Sequence, residues 1–317
     1  MLRDGSTGDW IGTFVGHKGS VWSAQLNPDA TQVATASADC TARVWSAIDG
    51  SELFCFPHKK VVKTAALSAD ALLVTGGQDA SLRLFDMQKP EAEPRSLGSH
   101  TDPIKDLRWA NQDTLLISSS GDHLLNFWDP RTPCTAPVKA LDMFHSIMEI
   151  EKTHDGKSIV VTGGRQVQLI SLATLEATLS IPLASPATTA HVDPSMRYLV
   201  TGGSDFYVRL HDVFTGEELE SHRAHHGPVH CVRFSPDGKM FASGSEDGTV
   251  RLWLTKNKPY SLWEYQENFQ RVVSSASEST LSQSPDYHPA DVGASSRSVA
   301  TSRRKRAQSA MPVGTGR

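Results

Sequence analysis

Residues 241–253 read Phe241-Ala242-Ser243-Gly244-Ser245-Glu246-Asp247-Gly248-Thr249-Val250-Arg251-Leu252-Trp253, and this stretch decides the fold class. Its short apolar runs on either side of an Asp-Gly pair are typical of two β-strands joined by a tight turn. The segment from Ala34 to Trp45 repeats the pattern of a small residue, a Ser or Thr, an Asp and an aromatic residue. The pattern therefore belongs to a repeat rather than to a single hairpin.

The spacing of the aspartate in each copy gives the length of the repeat. The copies align on Asp39, Asp79, Asp122, Asp205 and Asp247, at separations of 40, 43, 83 and 42 residues. The interval of 83 equals two periods of about 41 residues with a degenerate copy between them, so the chain holds six units. Four short antiparallel strands need about this length, and one such unit cannot bury both of its faces alone. The sequence predicts an all-β propeller of six complete blades within residues 1–265.

Polar and aromatic residues recur at fixed distances from these aspartates. A Ser or Thr lies four residues before the Asp, a ring-bearing residue lies six residues after it, and in four units a His lies 21 or 22 residues before it. The set comprises His17, Thr35, Asp39, Trp45, His58, Thr75, Asp79, Phe85, His100, Ser118, Asp122, Trp128, Thr201, Asp205, His211, His225, Ser243, Asp247 and Trp253. These offsets resemble the WD40 repeat family over roughly residues 10–265. The resemblance implies that the four groups form a hydrogen-bonded quartet inside each blade.

The same residue types occur in the Ser-His-Asp triad of hydrolases. An active site occurs once in a chain, however, whereas this combination recurs in nearly every unit. A buried carboxylate also requires hydrogen-bond donors, which a turn amide and an imidazole can supply. We therefore predict structural quartets, no catalytic residue and no enzyme activity.

Two units depart from the pattern. In the fourth, the stretch Thr162-Gly163-Gly164-Arg165-Gln166-Val167-Gln168-Leu169-Ile170 contains neither the turn aspartate nor the aromatic residue. We expect a looser blade there. In the fifth, His211 replaces the usual Trp and no Gly-His precedes the strand near His191, so we expect an incomplete quartet.

The residues before the first complete unit resemble the end of another blade. Met1-Leu2-Arg3 is typical of the end of a third strand, and Asp9-Trp10-Ile11-Gly12-Thr13-Phe14 is typical of a fourth, outer strand. Either the ring closes with a partial blade, or the chain is a truncated version of a seven-bladed protein, which we favour. An incomplete blade exposes unpaired strand groups and an apolar face to water, so we expect this chain to aggregate readily.

Composition excludes several classes of protein. The chain of 317 residues has a formal charge of −4, which is not the strong positive field of a nucleic-acid coat. The cysteines Cys40, Cys55, Cys134 and Cys231 lie far apart, which argues against a disulfide framework and a thiolate zinc site. No apolar run has the length of a membrane helix, and the N-terminus lacks a signal-peptide layout. We expect a cytoplasmic and nuclear protein without membrane insertion, cofactor, bound metal or small-molecule substrate.

Particular strings resemble one branch of the repeat family, the serine/threonine kinase receptor-associated protein family, also called the UNR-interacting protein family. They are the strand around Trp10, the loop Lys89-Pro90-Glu91-Ala92-Glu93-Pro94 and the segment Gly216-Glu217-Glu218-Leu219-Glu220-Ser221. The resemblance implies a non-catalytic adaptor of the survival-of-motor-neuron complex, which assembles spliceosomal small nuclear ribonucleoproteins. Its partners would be Gemin-like and Sm proteins, with RNA associated indirectly. The alternatives are a regulatory adaptor of TGF-β-type receptor kinases and a WD40 subunit of the translation initiation machinery.

A propeller binds mainly through its faces, where loops from all blades meet. The equivalent positions at the start of each innermost strand are Trp22, Lys63, Lys105, Met148, Thr188 and His230. They are the candidate partner-binding face, and packing between blades together with solvated lysines is the competing interpretation. The recurring arginines Arg43, Arg83, Arg209 and Arg251 are predicted to line blade walls rather than to bind phosphate. The cluster His222, His225, His226 and His230 is not predicted to bind a metal, since successive strand residues face opposite ways.

Residues 266–317 are predicted to form a disordered tail rich in Ser and Arg. Its basic run consists of Arg303, Arg304, Lys305 and Arg306. This run is a candidate nuclear import signal or a contact for RNA or acidic proteins, and it is equally compatible with plain solvated charge.

Overall fold

The computed structural model describes residues 2–3, 9–132, 135–143, 145–223 and 225–255. The regular structure of these residues consists of β-strands, which form seven separate antiparallel sheets. None of the described residues forms a helix long and apolar enough to cross a bilayer. The predicted last strand near Trp263, the domain boundary at 265 and the basic run of the tail lie outside the described residues.

Each sheet is a meander whose strands follow one another in chain order. A half-blade contains β1 (Leu2–Arg3) and β2 (Trp10–Gly12). The first three blades contain β3 (Val21–Leu26), β4 (Gln32–Ser37), β5 (Thr41–Ser46) and β6 (Glu52–Pro57); β7 (Val62–Leu67), β8 (Leu72–Gly77), β9 (Ser81–Asp86) and β10 (Arg95–Ser99); and β11 (Ile104–Ala110), β12 (Leu115–Ser120), β13 (Leu124–Trp128) and β14 (Lys139–Asp142). Blades 4 to 6 contain β15 (Glu149–Lys152), β16 (Ser158–Gly163), β17 (Gln166–Ser171) and β18 (Glu176–Pro182); β19 (Thr189–Val192), β20 (Tyr198–Gly202), β21 (Tyr207–Asp212) and β22 (Glu218–Arg223); and β23 (Val229–Phe234), β24 (Met240–Ser245) and β25 (Val250–Leu254).

These sheets confirm the prediction of an all-β propeller. The predicted end of an N-terminal blade is present, because β1 pairs antiparallel with β2 and joins no other strand among the described residues. Five blades have four strands, and the described part of blade 6 has three. The tendency of the chain to aggregate stays a prediction.

The turn between the second and third strands of a blade requires one residue in the left-handed conformation. This residue directly follows the repeat aspartate and has a positive φ in five blades: Cys40 (64°), Ala80 (58°), His123 (68°), Phe206 (74°) and Gly248 (77°). Only glycine adopts this conformation without a steric penalty from Cβ. The Asp-Gly pair of blade 6 is therefore the unstrained form of a turn that four other blades make at a cost.

We expect Ala80→Gly to raise the free energy of unfolding by about 0.5–1 kcal/mol, because it relieves the strain of Cβ in the left-handed region. The reverse change, Gly248→Ala, should lower it by about 1 kcal/mol. A Cβ at Gly248 would meet no atom within 4 Å, so this control isolates the backbone effect. Urea unfolding of the two variants checks the pair, and destabilisation by both would contradict the explanation.

Apolar side chains are buried between consecutive blades. Between blades 1 and 2, for example, Ala36 and Val44 pack with Val62, Leu67 and Leu73. Comparable clusters lie between each following pair of blades up to blades 5 and 6. Each blade thus covers one face of its predecessor, as the repeat length predicted.

The first and last of these blades each leave one apolar face exposed. Val21 begins the first strand of blade 1 and is 50% exposed, whereas the equivalent Val62, Ile104 and Val229 are at most 2% exposed. On blade 6, Val250 is 64% exposed and Leu252 is 41% exposed. Their equivalents in blade 1, Ala42 and Val44, are fully buried against blade 2. Both outer faces therefore carry the residue types of a blade interface and are partly exposed.

Candidate functional site

Three of the predicted quartets are complete hydrogen-bonded units. In blade 3, His100 Nδ1 lies 3.0 Å from Asp122 Oδ2, His100 Nε2 lies 2.7 Å from Ser118 Oγ, and Trp128 Nε1 donates to Ser118 Oγ at 2.8 Å. The corresponding distances are 2.9, 2.7 and 2.8 Å for His17, Thr35, Asp39 and Trp45 in blade 1. They are 3.0, 2.8 and 2.8 Å for His225, Ser243, Asp247 and Trp253 in blade 6.

Hydrogen-bonding chemistry fixes the proton positions in the quartet. Trp128 Nε1 can only donate, so Ser118 Oγ accepts from it and gives its own hydrogen to His100 Nε2. The imidazole is then neutral and donates from Nδ1 to Asp122. Ser118 is fully buried, so no substrate can reach its hydroxyl. The quartet links the turn aspartate to buried side chains of its blade and has no feature of a nucleophilic site.

The electrostatic environment keeps the quartet in this state. Burial opposes ionisation of Asp39, but hydrogen bonds from the Thr41 hydroxyl, the Lys18 amide and His17 outweigh it and lower the pKa of this carboxyl group. Burial lowers the pKa of His100, although the charge of Asp122 opposes the shift. In blade 3, where the pKa of Asp122 is lowered as well, the aspartate is therefore charged and His100 neutral at neutral pH.

Blade 2 differs from the predicted quartet, which requires a correction. His58 Nδ1 lies 3.0 Å from the carbonyl oxygen of Phe56, and Nε2 lies 2.9 Å from Thr75 Oγ1. Asp79 instead forms an ion pair with Arg83. Phe85 has no N–H group and contacts His58 only edge-on, with ring centroids 5.6 Å apart. Because Asp79 pairs with Arg83, it does not accept from His58, whose Nδ1 lies beside the carbonyl oxygen of Phe56 instead.

Blades 4 and 5 lack the complete quartet, as predicted. In blade 5, His211 Nε2 lies 3.1 Å from Thr201 Oγ1, while Asp205 pairs with Arg209 rather than with a histidine. In blade 4 the strand register places Val161 at the position that Ser118 occupies in blade 3. Val161 and its neighbour Val160 are each only 1% exposed, and the expected looseness of blade 4 stays a prediction. Apolar packing replaces the polar quartet.

A buried ion network on the innermost strands was not predicted from the sequence. Arg108 donates to Asp106 at 2.9 Å and to Glu151 at 3.0 Å, and Arg233 donates to Glu149 at 2.8 Å. Arg233 also lies 2.6 Å from Glu151. Burial raises the pKa of Glu151, but Arg108 and Arg233 outweigh burial and lower it to about 2. The network joins blades 3 and 4 to blade 6, and its signal in the sequence is the alternation of charged residues along β11 and β15.

His191, on the innermost strand of blade 5, lies beside this network. Its Nδ1 accepts a hydrogen bond from the backbone amide of Phe234 at 3.2 Å. Burial lowers its pKa from 6.5 to about 4, with the charge of Glu151 partly opposing the shift. Protonation at Nδ1 would remove this acceptor and place a cation near Arg233.

We expect acidification from pH 6.5 to pH 4 to destabilise the protein, because His191 binds a proton in the unfolded state and not in the folded state. This one group contributes a slope of at most about 1.4 kcal/mol per pH unit. His191→Asn keeps an acceptor oxygen and does not titrate, so the pH profile of the unfolding free energy should flatten by that amount. The exposed His154→Asn serves as the control. An unchanged slope in the His191 variant would contradict the assignment.

The six predicted face residues lie on one side of the blades. Equivalent levels of neighbouring first strands contact each other, as in the hydrogen bond from Thr188 Oγ1 to the carbonyl oxygen of Val229 at 2.6 Å. The first strands of all six blades therefore begin on the same face of the propeller. The turns that precede them and the turns between second and third strands lie on that face too. These first strands are β3, β7, β11, β15, β19 and β23. We call this side the first-strand face.

Individual members of the first-strand face have different environments. Trp22 is 57% exposed, which excludes full burial between blades, and Lys63 Nζ lies 4.8 Å from the centroid of its ring. Met148 is 41% exposed, and His230 Nε2 lies 3.5 Å from Glu246. Thr188 is tied to the backbone, so its hydroxyl serves the fold. The aromatic and thioether groups are the parts of this face that can pack against another molecule.

The recurring arginines and the histidine cluster were the other candidates. Their side chains contact separate partners rather than one another. Arg43 pairs with Glu52, and Arg83 and Arg209 pair with the aspartates of their own blades. The histidines proposed and rejected as a metal cluster have different partners: His222 contacts Glu220, and His225 belongs to the blade 6 quartet. Among residues 9–255 that are described, no group of three or more His, Cys, Asp and Glu side chains is arranged to hold a metal ion.

Comparison with known proteins identifies the family. The WD domain, G-beta repeat model matches residues 8–46, 92–129 and 216–253. The chain is 47% identical over 266 residues to the serine-threonine kinase receptor-associated protein of Rattus norvegicus, covering 83% of this chain and 75% of the relative. The chain belongs to the serine-threonine kinase receptor-associated protein family.

Other relatives show how far this family resemblance extends. The family member of Dictyostelium discoideum is 40% identical over 255 residues, covering 80% of this chain and 86% of the relative. Eukaryotic translation initiation factor 3 subunit I of Drosophila simulans is 27% identical over 276 residues, covering 77% of this chain and 83% of the relative. The family assignment therefore confirms the resemblance inferred from the Trp10 strand and the loop at Lys89, and it describes a WD40 scaffold.

Proposed function

We propose that this chain is a non-catalytic scaffold that binds proteins through its first-strand face, as a subunit of the survival-of-motor-neuron complex in spliceosomal ribonucleoprotein assembly. The observation that carries the binding role is the exposed Trp22 ring at the start of an innermost strand, where all blades converge. Exposed aromatic residues in such positions are typical anchors of protein interfaces. The quartets are buried structural units, so none of them competes as a reactive site.

Two other assemblies are supported by the names of relatives. The mammalian relatives are named for association with a serine-threonine kinase receptor, which favours a kinase-signalling scaffold as the second candidate. The more distant likeness to a translation initiation factor subunit supports the third candidate, a role in translation initiation. All three candidates use the same non-catalytic propeller and differ in the partner.

Affinity purification of the tagged chain from its native cell separates these candidates. Recovery of Gemin-like and Sm proteins supports ribonucleoprotein assembly, a receptor kinase supports the second candidate, and initiation-factor subunits support the third. Trp22→Ala should lose the partners, whereas Trp10→Ala, which removes another exposed Trp from the outer strand β2, should retain them. Equal recovery by both variants would refute binding through the first-strand face.

We further propose cytoplasmic and nuclear localisation, with the basic run of the tail as an import signal. Replacing Arg303, Arg304, Lys305 and Arg306 with alanine should move a fluorescent fusion of the full chain out of the nucleus. Unchanged nuclear signal in this variant would leave the run without an import role. Because this run is basic, the nucleic-acid content of the purified chain is a useful parallel measurement.

A further inference from the structure

The turns on the first-strand face carry unpaired positive charge. Lys18, Lys59, Lys60 and Arg165 are exposed in these turns, and Lys63 and Lys105 lie at the starts of β7 and β11. These six side chains form no ion pair with the residues that the structure describes. Five of them lie on blades 1 to 3, so the charge is concentrated on one arc of the face.

The carboxylates on the same face are mostly committed to internal contacts. Asp39, Asp122 and Asp247 accept the hydrogen bonds of their quartets, and Asp79 and Asp205 pair with arginines of their own strands. Glu246 lies beside His230, and the other exposed carboxylates described on this face are Asp102 and, at the end of β14, Asp142. The quartet carboxylates have side chains at most 10% exposed, so the exposed charges on the blade 1 to 3 part of this face are mainly positive although the whole chain is acidic.

The opposite face has the reverse charge. Its described turns, between first and second and between third and fourth strands, contain eleven carboxylates against five Lys or Arg residues. Hydrogen bonds within these turns keep several carboxylates ionised; those from Ser46 and Ser51, for example, lower the pKa of Asp49 to about 2. The two faces would therefore attract partners of opposite charge.

Trp22, Lys63 and Lys105 form the centre of the basic arc. Lys63 stands over the Trp22 ring at 4.8 Å, and burial and the charge of Lys105 lower its pKa. Two like charges on neighbouring blades repel each other, and an anion placed between them would relieve that repulsion. The exposed Trp22 ring beside them provides an apolar contact next to the anion position.

We infer that this arc binds an acidic peptide segment, with carboxylates at Lys63 and Lys105 and an apolar side chain on Trp22. The inference rests on the proposed function, since it names the chemistry of the partner for that same face. A peptide satisfies both features because it can alternate carboxylate and apolar side chains along one extended strand. Lys63 and Lys105 require negative charge in the peptide, and Trp22 requires an apolar side chain beside that charge.

Fluorescence anisotropy with a labelled peptide of repeated Glu-Glu-Leu triplets tests this inference on the full chain. The matched peptide of Gln-Gln-Leu triplets should bind at least about tenfold more weakly. The double variant Lys63→Gln/Lys105→Gln should weaken binding of the acidic peptide by about tenfold or more. Lys157→Gln/Lys239→Gln removes two exposed lysines from the opposite face and should leave the affinity within about twofold.

Several results would overturn the inference. Equal affinity of the wild type and the Lys63/Lys105 variant assigns the peptide to another surface, including the basic run of the tail. Tighter binding of an oligouridylate that displaces the peptide assigns the arc to RNA. Thermal unfolding of each variant confirms that a lost affinity is not a lost fold. Because the probe is a defined peptide, its failure leaves the affinity-purification test of the scaffold role independent.

Discussion

Replacing Arg108 with Met is expected to lower the free energy of unfolding by about 3–5 kcal/mol, the largest effect of any single change considered for this chain. The guanidinium group bridges Asp106 and Glu151, and its side chain is 14% exposed. Met fills a similar volume but leaves both carboxylates, whose side chains are only 10% and 17% exposed, without this cation. Glu151 retains Arg233, whereas Asp106 retains only neutral donors such as the Ile150 amide at 3.0 Å.

Urea unfolding followed by tryptophan fluorescence measures this loss. The matched control is Arg131→Met, because Arg131 also pairs with an aspartate, Asp129, but is 68% exposed. Exposed pairs contribute little, so the control should change stability by less than about 1 kcal/mol. A cost for Arg108→Met no larger than that of the control would show that the network does not stabilise the fold.

Ser118→Ala is expected to lower the free energy of unfolding by about 2–4 kcal/mol. The change removes two hydrogen bonds and leaves His100 Nε2 and the Trp128 N–H group buried without their partner. Each unsatisfied buried group costs about 1–3 kcal/mol, and the lost hydroxyl itself carries no other contact. Blade 4 has no such hydroxyl, because Val161 occupies this position.

The neighbouring Ser119 offers a closely matched control on the same strand. Its hydroxyl is also buried, but it has no hydrogen-bond partner within the described part of the chain. Ser119→Ala should therefore be neutral or stabilise the protein by up to about 1 kcal/mol. Equal destabilisation by the two alanine variants would mean that the quartet contributes no more than its packing.

The quartets could be predicted because every member lies at a fixed distance from the repeat aspartate. That rule fails in blade 2, where Asp79 has an arginine four residues later and binds it across the hairpin turn. Arg43 occupies the same position in blade 1, yet it pairs with Glu52 on the next strand and leaves Asp39 to the histidine. Offsets therefore locate the candidates, whereas competition between acceptors decides the contacts.

The ion network and the Trp22 contact required the structure for a different reason. Asp106 and Arg108 lie in a strand whose other residues are mostly apolar, and the contacts that link them to blade 4 span more than 40 residues of the chain. No local pattern shows that first strands from blades 3, 4 and 6 bring these charges together. The basic arc was missed likewise, because the overall charge of −4 hides opposite signs on the two faces.

The two exposed end faces differ from each other, and this decides how copies of the chain can associate. Val21 belongs to the side of a blade that receives its predecessor, and Val250 belongs to the side that receives its successor. Two copies joined through these faces would meet head to tail, which leaves one free face at each end. Growth by this contact has no two-fold stopping point, so self-association of this kind would yield rings or filaments rather than a two-fold dimer.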